Sequence, residues 1–451
     1  MSTSRRTFLG SLSALPIPFI LGSRAFLARA ATGWMPAISN APGEKVAKSD
    51  EFEDFNPGEV KDNSERERLI SQWVQSIVIK SPKLRSDVKG DIKVAFQAPG
   101  MTTARALCWQ QPTAQNPNPW GHDAMVTQDI KLDSAGNGSF LFPADQFPNG
   151  PTTIRLLAHN PARQRDIREL QLFNLGGIVW DQGIPKTDPP AARGMKLAFA
   201  DDFDGPLSIS NDGKGARYCA HKPGGGDFSG WPFTGPEGSL NPFSQKGTFL
   251  RIRGFKPQGT EGSSGILASI AQDRTGFVAH APCYFECRFI AQSAPGTWPA
   301  FWLCTTGKLG VKGCDETDII EAYGGMGKGN PNGPDLYHCT THFWDQLGPD
   351  GQKFNMPVPT HKTVDMAQLG GKSSWSTTLH TYAVKITHEE TIYYCDDIEV
   401  LRHPTGPLAA SQPHFFMVNY AIGGISGWKI DLEREGNATD MHVDYVRVYQ
   451  G

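Results

Sequence analysis

Several features are missing from this 451-residue sequence, and their absence narrows the possible functions and folds. Basic residues are not in excess, since 43 Lys and Arg face 46 Asp and Glu, so no positive field is available for nucleic acid. The eight cysteines include no C-x-x-C pair, which argues against a zinc site. No apolar run is long enough to span a membrane, and residues 196–450 show neither a convincing amphipathic helix of useful length nor an internal repeat.

Turn residues are abundant instead: 49 Gly and 34 Pro separate short stretches of alternating apolar and polar residues. Such a pattern predicts an all-β protein. Short alternating segments over residues 69–176 predict a small β-sandwich. The Pro-containing residues 177–195 predict a linker, and the strand-rich block 196–451 has the size of a large two-sheet sandwich or jelly roll.

The N-terminus predicts export from a bacterial cell. Arg5 and Arg6 precede a short apolar stretch, and Ala-Arg-Ala at 28–30 resembles a cleavage site. Residues 1–30 are therefore predicted to be a signal peptide, and the paired arginines favour the twin-arginine type over an ordinary one. The polar residues 31–68 predict a flexible segment. We expect a periplasmic or extracellular protein.

The stretch "CDETDIIEAYG" at 314–324 places acids inside an apolar strand. Side chains alternate faces along a strand, so Glu316 and Asp318 share one face while Glu321 should point into the core. An unpaired carboxylate in a core is costly. A β-bulge between Asp318 and Glu321 would bring all three acids to one face. Two glutamates on one face are what glycoside hydrolysis needs, and Asp318 between them would alter both pKa values.

The hexapeptide "ETDIIE" resembles the E-x-D-x-x-E signature of glycoside hydrolase family 16, in its laminarinase- and agarase-like branch. The resemblance extends over nearly all of 196–450, through "FADDFDG" (199–205), "GTWPAFWL" (296–303), "LYHCTTHFW" (336–344), "LHTYAVKIT" (379–387), "FFMVNYAIGG" (415–424) and "VDYVRVYQ" (443–450). It implies a concanavalin-like two-sheet jelly roll and retaining, endo-acting chemistry. By position it implies that Glu316 is the nucleophile, Glu321 the general acid/base and Asp318 the residue that holds the nucleophile. Residues 69–176 are similar to the immunoglobulin-like domains that precede such catalytic domains.

Aromatic residues and histidines in the same segments are candidates for binding sugar. Trp298 and Trp302 share a strand face, and flat rings stack on the C–H faces of sugars, although a place in the core is the alternative for both. His338, His342 and Trp344 share a face of another segment, which suggests a wet cleft. A structural role is the alternative for His338, while the resemblance gives His342 a place in the active site.

The resemblance carries two weaker expectations. Asn419 and Trp428 would border the cleft, with packing or turn roles as the alternative. No cofactor is required, but acids of the first and last strands, Asp202 and Asp444, would be candidates for a structural Ca²⁺ ion, with ordinary surface acids as the alternative.

Cys304 and Cys314 bracket a short loop between two predicted strands. Because export permits disulfides, this pair is the first candidate for a bridge. Buried free thiols are the alternative.

The sequence therefore predicts an exported, monomeric, retaining endo-glycosidase acting on a β-linked polysaccharide, with β-1,3-glucan as the first expectation. Agarase- or galactanase-type activity and transglycosylation are the alternatives within the same fold. A non-catalytic carbohydrate-binding protein is the rival from another class, but a binder has no need for two glutamates and an aspartate on one strand face. A further alternative places the function in the N-terminal sandwich, where Trp109 and Trp120 could bind sugar.

Overall fold

The computed structural model describes residues 34–35, 64, 68, 71–111, 125–127, 129–306, 314–325, 336–344, 360–369, 373–424 and 429–451. The predicted signal peptide, most of the predicted flexible segment, Trp120 and Trp428 lie outside these residues. Nearly all regular structure in the described residues is β-strand, so the predicted all-β class is confirmed. None of the described helices has the length and apolar character that crossing a bilayer requires.

In the described part of the N-terminal unit, strands form two sheets that enclose an apolar core. The strands are β1 (Trp34–Met35), β2 (Val78–Ser81), β3 (Asp87–Val88), β4 (Asp91–Gln97), β5 (Thr103–Cys108), β6 (Met125–Thr127), β7 (Ile130–Lys131), β8 (Asn137–Pro143), β9 (Gly150–His159) and β10 (Arg165–Asn174). One sheet has the order β1-β6-β5-β9-β10-β3 with β7 beside β5, and the other is β2-β4-β8. This unit is called the N-terminal sandwich below; its immunoglobulin-like character stays a prediction.

The rest of the described chain forms a larger two-sheet sandwich. Its strands are β11 (Lys196–Asp201), β12 (Ile209–Ser210), β13 (Tyr218–Cys219), β14 (Phe243–Lys246), β15 (Phe249–Phe255), β16 (Gly265–Ala268), β17 (Cys283–Ala291), β18 (Thr297–Thr305), β19 (Cys314–Glu321), β20 (Leu336–Trp344), β21 (His361–Asp365), β22 (His380–Ile386), β23 (Glu390–Cys395), β24 (Ile398–Pro404), β25 (His414–Ile422) and β26 (Ala438–Gln450). One short helix, α1 (Pro407–Ser411), and 3-10 turns at Pro190–Ala192, Met366–Gln368 and Glu433–Glu435 accompany them, while a further turn, Ala144–Gln146, lies in the N-terminal sandwich.

Two eight-stranded sheets pack against each other to make the jelly roll. The back sheet has the order β14-β15-β26-β17-β22-β23-β24, with β11 beside β26. The site sheet has the order β12-β13-β16-β25-β18-β19-β20-β21. Phe289 of the back sheet and Phe301, Ile320 and Val418 of the site sheet belong to the core between them. Because β19 lies deep inside the site sheet, its acids cannot be the solvated acids of an edge strand.

The outer face of the site sheet, turned away from this core, carries a second apolar cluster. Along β18 the side chains alternate, so that Phe301 and Leu303 enter the core while Trp298 and Trp302 lie on the outer face. Phe233 covers part of the same face.

The predicted linker, residues 177–195, runs along the back sheet and is held by hydrogen bonds. The N–H of Gly183 donates to Asp444, and Tyr449 donates to Asp188. The aromatic ring of Trp180 joins a buried cluster with Phe249. These contacts tie the segment to the jelly roll.

Candidate active site

The strand β19 contains the β-bulge that its sequence predicts. From Asp318 to Glu321 the chain takes three steps along β19 but only two along the neighbouring β20. The register against β18 shifts at the same place. Ile319 and Ile320 are both buried in the sandwich core, which strict alternation would not allow. The prediction of a bulge between Asp318 and Glu321 is therefore confirmed.

Two side chains of β18 show that the bulge brings the glutamates to the same face. The indole N–H of Trp298 donates a hydrogen bond to Oε1 of Glu321 at 3.2 Å. The thiol of Cys304 lies 3.9 Å from Oε2 of Glu316. Since Trp298 and Cys304 both belong to the outer face of the site sheet, Glu316 and Glu321 also lie there.

Asp318 lies between the two glutamates and is 4% exposed. Its Oδ2 is 3.4 Å from Nε2 of His342, which pairs with Glu316 across the two strands. Burial, and then the negative charges of Glu321 and Glu316, raise the pKa of Asp318 well above its usual range. A protonated Asp318 can donate a hydrogen bond to a neighbouring carboxylate, which would concentrate the negative charge of the cluster on a glutamate.

Glu321 has the environment of a general acid. Burial and the negative charge of Glu316 raise its pKa to about 7, while hydrogen bonds from Trp298 and Tyr323 act in the opposite direction. A carboxyl group that still holds its proton near neutral pH can give it to a leaving oxygen.

The predicted tryptophans form a wall beside the acids. Trp298 and Trp302 are each 6% exposed. The ring centroid of Phe228 lies 5.4 Å from that of Trp298 and 5.7 Å from that of Trp302. Asn419 is fully buried; it accepts a hydrogen bond from Nε1 of Trp302 at 2.8 Å and donates one to the carbonyl of Trp298 at 3.2 Å. The resemblance places Asn419 at the border of the cleft as a candidate for binding substrate, but Asn419 has no exposed surface and has the alternative, packing role, in which it holds the tryptophans in place.

The strand β20 lines the other side of the acids. The rings of His342 and Trp344 stack with centroids 5.0 Å apart, and Trp344 is 48% exposed. An exposed flat ring beside the acids suits stacking on a sugar. His338 pairs with Glu321 across the strands and contacts Thr363 through Nδ1 at 3.2 Å. Burial lowers the pKa of His338 to about 4, so this imidazole is neutral.

Three further aromatic side chains were missed by the sequence predictions. The hydroxyl of Tyr323 donates to Glu321 at 3.4 Å, and its ring lies 5.6 Å from His338. Tyr323 follows Glu321 by two positions, so the period of a strand could have placed it on the same face. His361 of β21 stacks on His338, and Phe228 reaches the tryptophans from a loop. No periodic pattern in the sequence points to Phe228.

The residues predicted for calcium do not suit a cation. Oδ1 of Asp444 accepts a hydrogen bond from the N–H of Gly183 at 2.9 Å, and Oδ2 is paired with the guanidinium of Arg288. A calcium ion needs several oxygen ligands, and here it would have to displace an arginine. Asp202 lies beside Gly183 but adds only one acid to this arrangement.

The eight cysteines are free thiols, so the predicted bridge between Cys304 and Cys314 is not formed. A hydrogen bond joins the two side chains and raises the pKa of Cys304, while it lowers that of Cys314. The structure therefore agrees with the alternative, in which Cys304 and Cys314 are free thiols.

No protein-family model matches the chain. An endo-1,3-1,4-beta-glycanase, ExsH of Rhizobium meliloti (strain 1021), is 28% identical over 224 residues, which cover 48% of this chain and 41% of the relative. A beta-glucanase of Rhodothermus marinus is 30% identical over 182 residues, which cover 37% of this chain and 56% of the relative. The chain spans about half the length of these curated relatives.

Among solved structures, the laminarinase catalytic domain from Thermotoga maritima MSB8 aligns with a TM-score of 0.43 and 18% identity, covering 57% of this chain and 98% of that domain. The names of the curated relatives, endo-1,3-1,4-beta-glycanase and beta-glucanase, are those of enzymes that cleave β-glycans. The predicted relationship of this chain to that group is thereby confirmed.

Proposed function

We propose that this chain is an exported, retaining endo-glycosidase that hydrolyses a β-linked polysaccharide, with β-1,3-glucan as the first substrate to test. One observation carries the proposal: the bulge in β19 brings Glu316 and Glu321 to one face of the site sheet. The names of the relatives, endo-1,3-1,4-beta-glycanase and beta-glucanase, favour a β-glucan as the polymer.

In the first step of the proposed reaction, the carboxylate of Glu316 attacks the anomeric carbon. Glu321 gives its proton to the leaving glycosidic oxygen as that bond breaks. The raised pKa of Glu321, about 7, keeps this proton available near neutral pH. The products of the step are a glycosyl ester on Glu316 and a free chain end.

In the second step Glu321, now ionised, takes a proton from a water molecule, which attacks the glycosyl ester from the side the leaving group vacated. The bond to Glu316 breaks, and the sugar is released with the configuration that it had in the polymer. If the hydroxyl of another sugar replaces water in this step, the result is transglycosylation.

Asp318 and His342 serve the nucleophile in this scheme. Burial and the neighbouring glutamates raise the pKa of Asp318 well above its usual range, which favours its protonated form and so limits repulsion inside the cluster. His342 lies opposite Glu316 and contacts Asp318, so it fixes the orientation of the acids. The exposed ring of Trp344 offers a stacking surface for a sugar next to the reacting one.

The proposal is tested by assaying laminarin, lichenan, agarose, xyloglucan and carrageenan with the wild type and Glu316→Gln. The exposed Glu389→Gln is a matched control, since it makes the same chemical change far along the chain. We expect endo-cleavage of at least one polymer by wild type and control, and a loss of about a thousandfold or more in Glu316→Gln. Binding of a polymer without cleavage by the wild type would instead favour a carbohydrate-binding protein.

Stereochemistry and export are tested separately. Proton NMR of the first-formed product should show the β-anomer before mutarotation; the α-anomer would exclude retention. For export, the protein should leave the cytoplasm of its host, and Arg5→Lys with Arg6→Lys should retain it there. A cytoplasmic wild type would contradict the export proposal.

A further inference from the structure

The N-terminal sandwich contributes a buried acid to the jelly roll. Glu169 of β10 is 4% exposed, and its Oε1 accepts hydrogen bonds from Arg155 at 3.1 Å and from the hydroxyl of Ser376 at 2.5 Å. Its Oε2 accepts the backbone N–H of Ser293 at 2.9 Å. Ser293 and Ser376 belong to the jelly roll, so one carboxylate joins the two units at two separate places.

The first of these places leads to the active site. The hydroxyl of Ser293 accepts a hydrogen bond from the N–H of Gly325 at 3.0 Å. Gly325 lies in the segment that follows β19, and a Cβ there would lie 2.8 Å from Cα of Pro295, so this part of the segment is closely packed on the turn that carries Ser293. The same segment carries Tyr323, whose hydroxyl donates to Glu321.

The second place leads to the neighbouring strand. Ser376 belongs to the turn that precedes β22, and next to it Trp375 is fully buried. The indole N–H of Trp375 donates to the carbonyl of Leu336, the first residue of β20, at 3.2 Å. Glu169 is thus connected through Ser293 to the segment after β19, and through Ser376 and its sequence neighbour Trp375 to the first residue of β20.

Glu169 is held by specific donors from both units. Burial raises its pKa, and Arg155, Ser376 and the N–H of Ser293 act against that increase. A buried carboxylate of this kind tolerates little displacement, because each donor that moves away leaves a charge without compensation. The contact therefore fixes one relative position of the parts that it joins.

We propose that Glu169 is a positioning residue of the active site, supplied by the N-terminal sandwich, which holds the segment after β19 so that Tyr323 and Glu321 keep their places. This inference rests on the proposed function. The proposal gives the N-terminal sandwich a part in catalysis. The contacts of Glu169 hold this sandwich against the jelly roll, so it does not act as a separately moving sugar-binding module.

A second buried acid of β10 supplies a matched control. Asp166 is 2% exposed and accepts hydrogen bonds from the N–H of Ile77 at 2.7 Å and from Arg434 at 2.8 Å. It too joins the N-terminal sandwich to the jelly roll, but its partner there is Arg434 of the 3-10 turn Glu433–Glu435. Asp166→Asn and Glu169→Gln make the same chemical change on one strand, so damage to the interface alone would affect both.

The activity test is a double-mutant cycle in the full-length chain. Glu169→Gln and Tyr323→Phe are measured singly and together, as kcat/KM on the polymer that the wild type cleaves best. Residues that share no contact normally act independently, so coupling between Glu169 and Tyr323 is diagnostic. We expect kcat/KM of the double variant Glu169→Gln, Tyr323→Phe to be about threefold or more higher than the product of the two single effects predicts. In the control cycle of Asp166→Asn with Tyr323→Phe, we expect the two effects on kcat/KM to multiply without coupling. Additivity in both cycles would overturn the proposal.

A second measurement does not depend on activity. Hydrogen exchange of the peptide that contains residues 322–325 is followed in the wild type, Glu169→Gln, Asp166→Asn and Ser293→Ala, which removes only the hydroxyl that Gly325 uses. We expect faster exchange in Glu169→Gln and Ser293→Ala than in Asp166→Asn, and equal exchange in all would overturn the proposal. Because Ser293→Ala leaves the charges in place, it tests the link from Ser293 to Gly325 even if Glu169→Gln fails to fold, and exchange equal to that of the wild type would overturn the proposal. If the wild type cleaves no polymer but exchange differs as expected, the proposed function fails while the contact stands.

Discussion

Trp298 and Glu321 form a hydrogen bond of 3.2 Å that joins the tryptophan wall to the proposed general acid. A donor to a carboxylate favours its ionised form, whereas burial and the charge of Glu316 favour the protonated form. The balance leaves the pKa of Glu321 at about 7. The hydrogen bond from Trp298 therefore partly offsets the increase in the pKa of Glu321 that burial and Glu316 cause.

Activity should fall as Glu321 loses its proton. Because its pKa is about 7, kcat/KM should decline above roughly neutral pH. Tyr323→Phe removes one donor to the carboxylate, so the pKa of Glu321 and the basic limb of the profile should move to higher pH by a few tenths to about one unit. Tyr394→Phe, a half-buried tyrosine elsewhere, should leave the limb in place. A limb that moves to lower pH in Tyr323→Phe would contradict this assignment.

Asn419 should matter through the tryptophans that it holds. Asn419→Ala leaves the buried indole N–H of Trp302 without its acceptor, which should cost about 1–3 kcal/mol in the free energy of unfolding. Urea denaturation measures the change. In the background of Trp302→Phe, which has no N–H to satisfy, the same substitution should cost clearly less. Equal costs in both backgrounds would show that the hydrogen bond is not responsible.

Asp315 should make stability depend on pH. It is fully buried on β19, accepts the N–H of Ala409 at 2.6 Å, and burial raises its pKa from 3.8 to about 6. Its folded pKa lies above the unfolded value, so stability is full below about pH 4 and is lost as the pH rises through 6.

Asp315→Asn keeps an acceptor for Ala409 and removes the charge. At pH 8 it should therefore be more stable than the wild type by up to about 3 kcal/mol, and this advantage should shrink as the pH falls to 4. Urea unfolding at several pH values decides the matter. An advantage that does not change with pH would mean that the carboxylate of Asp315 is not the cause.

Calcium should not stabilise the protein. The guanidinium of Arg288 pairs with Asp444, so the position at which the sequence resemblance would place a cation already has a positive charge. Melting temperatures in excess EDTA and in millimolar CaCl₂ should agree within about 1 °C. A rise with calcium that Asp444→Asn abolishes would reinstate the predicted metal site.

The bulge could be predicted from the sequence because its signal is local. Acids at 316, 318 and 321 cannot share a face in a regular strand, and the isoleucines between them need the core. The wall of Trp298 and Trp302 follows from the same alternation along β18. Tyr323 lay within reach of this reasoning, two positions after Glu321.

Other parts of the site depend on contacts that no local pattern encodes. Phe228 reaches the tryptophans from a loop, and Glu169 meets Ser293 across 124 positions of the chain. The predicted calcium ligand Asp444 is paired instead with Arg288, 156 positions away. Residue type gives the chemistry of such groups, but only the packing of the sheets determines which partner each one finds.

Covalent trapping tests the assignment of the nucleophile most directly. The protein is incubated with an activated 2-deoxy-2-fluoro β-glucosyl oligosaccharide, which slows the second chemical step, and the labelled peptide is sequenced by mass spectrometry. We predict one glycosyl group on Glu316, no label in Glu316→Gln, and full labelling in Glu389→Gln. A glycosyl group on Glu321 or Asp318, or turnover of the reagent without any covalent intermediate, would contradict the proposed mechanism.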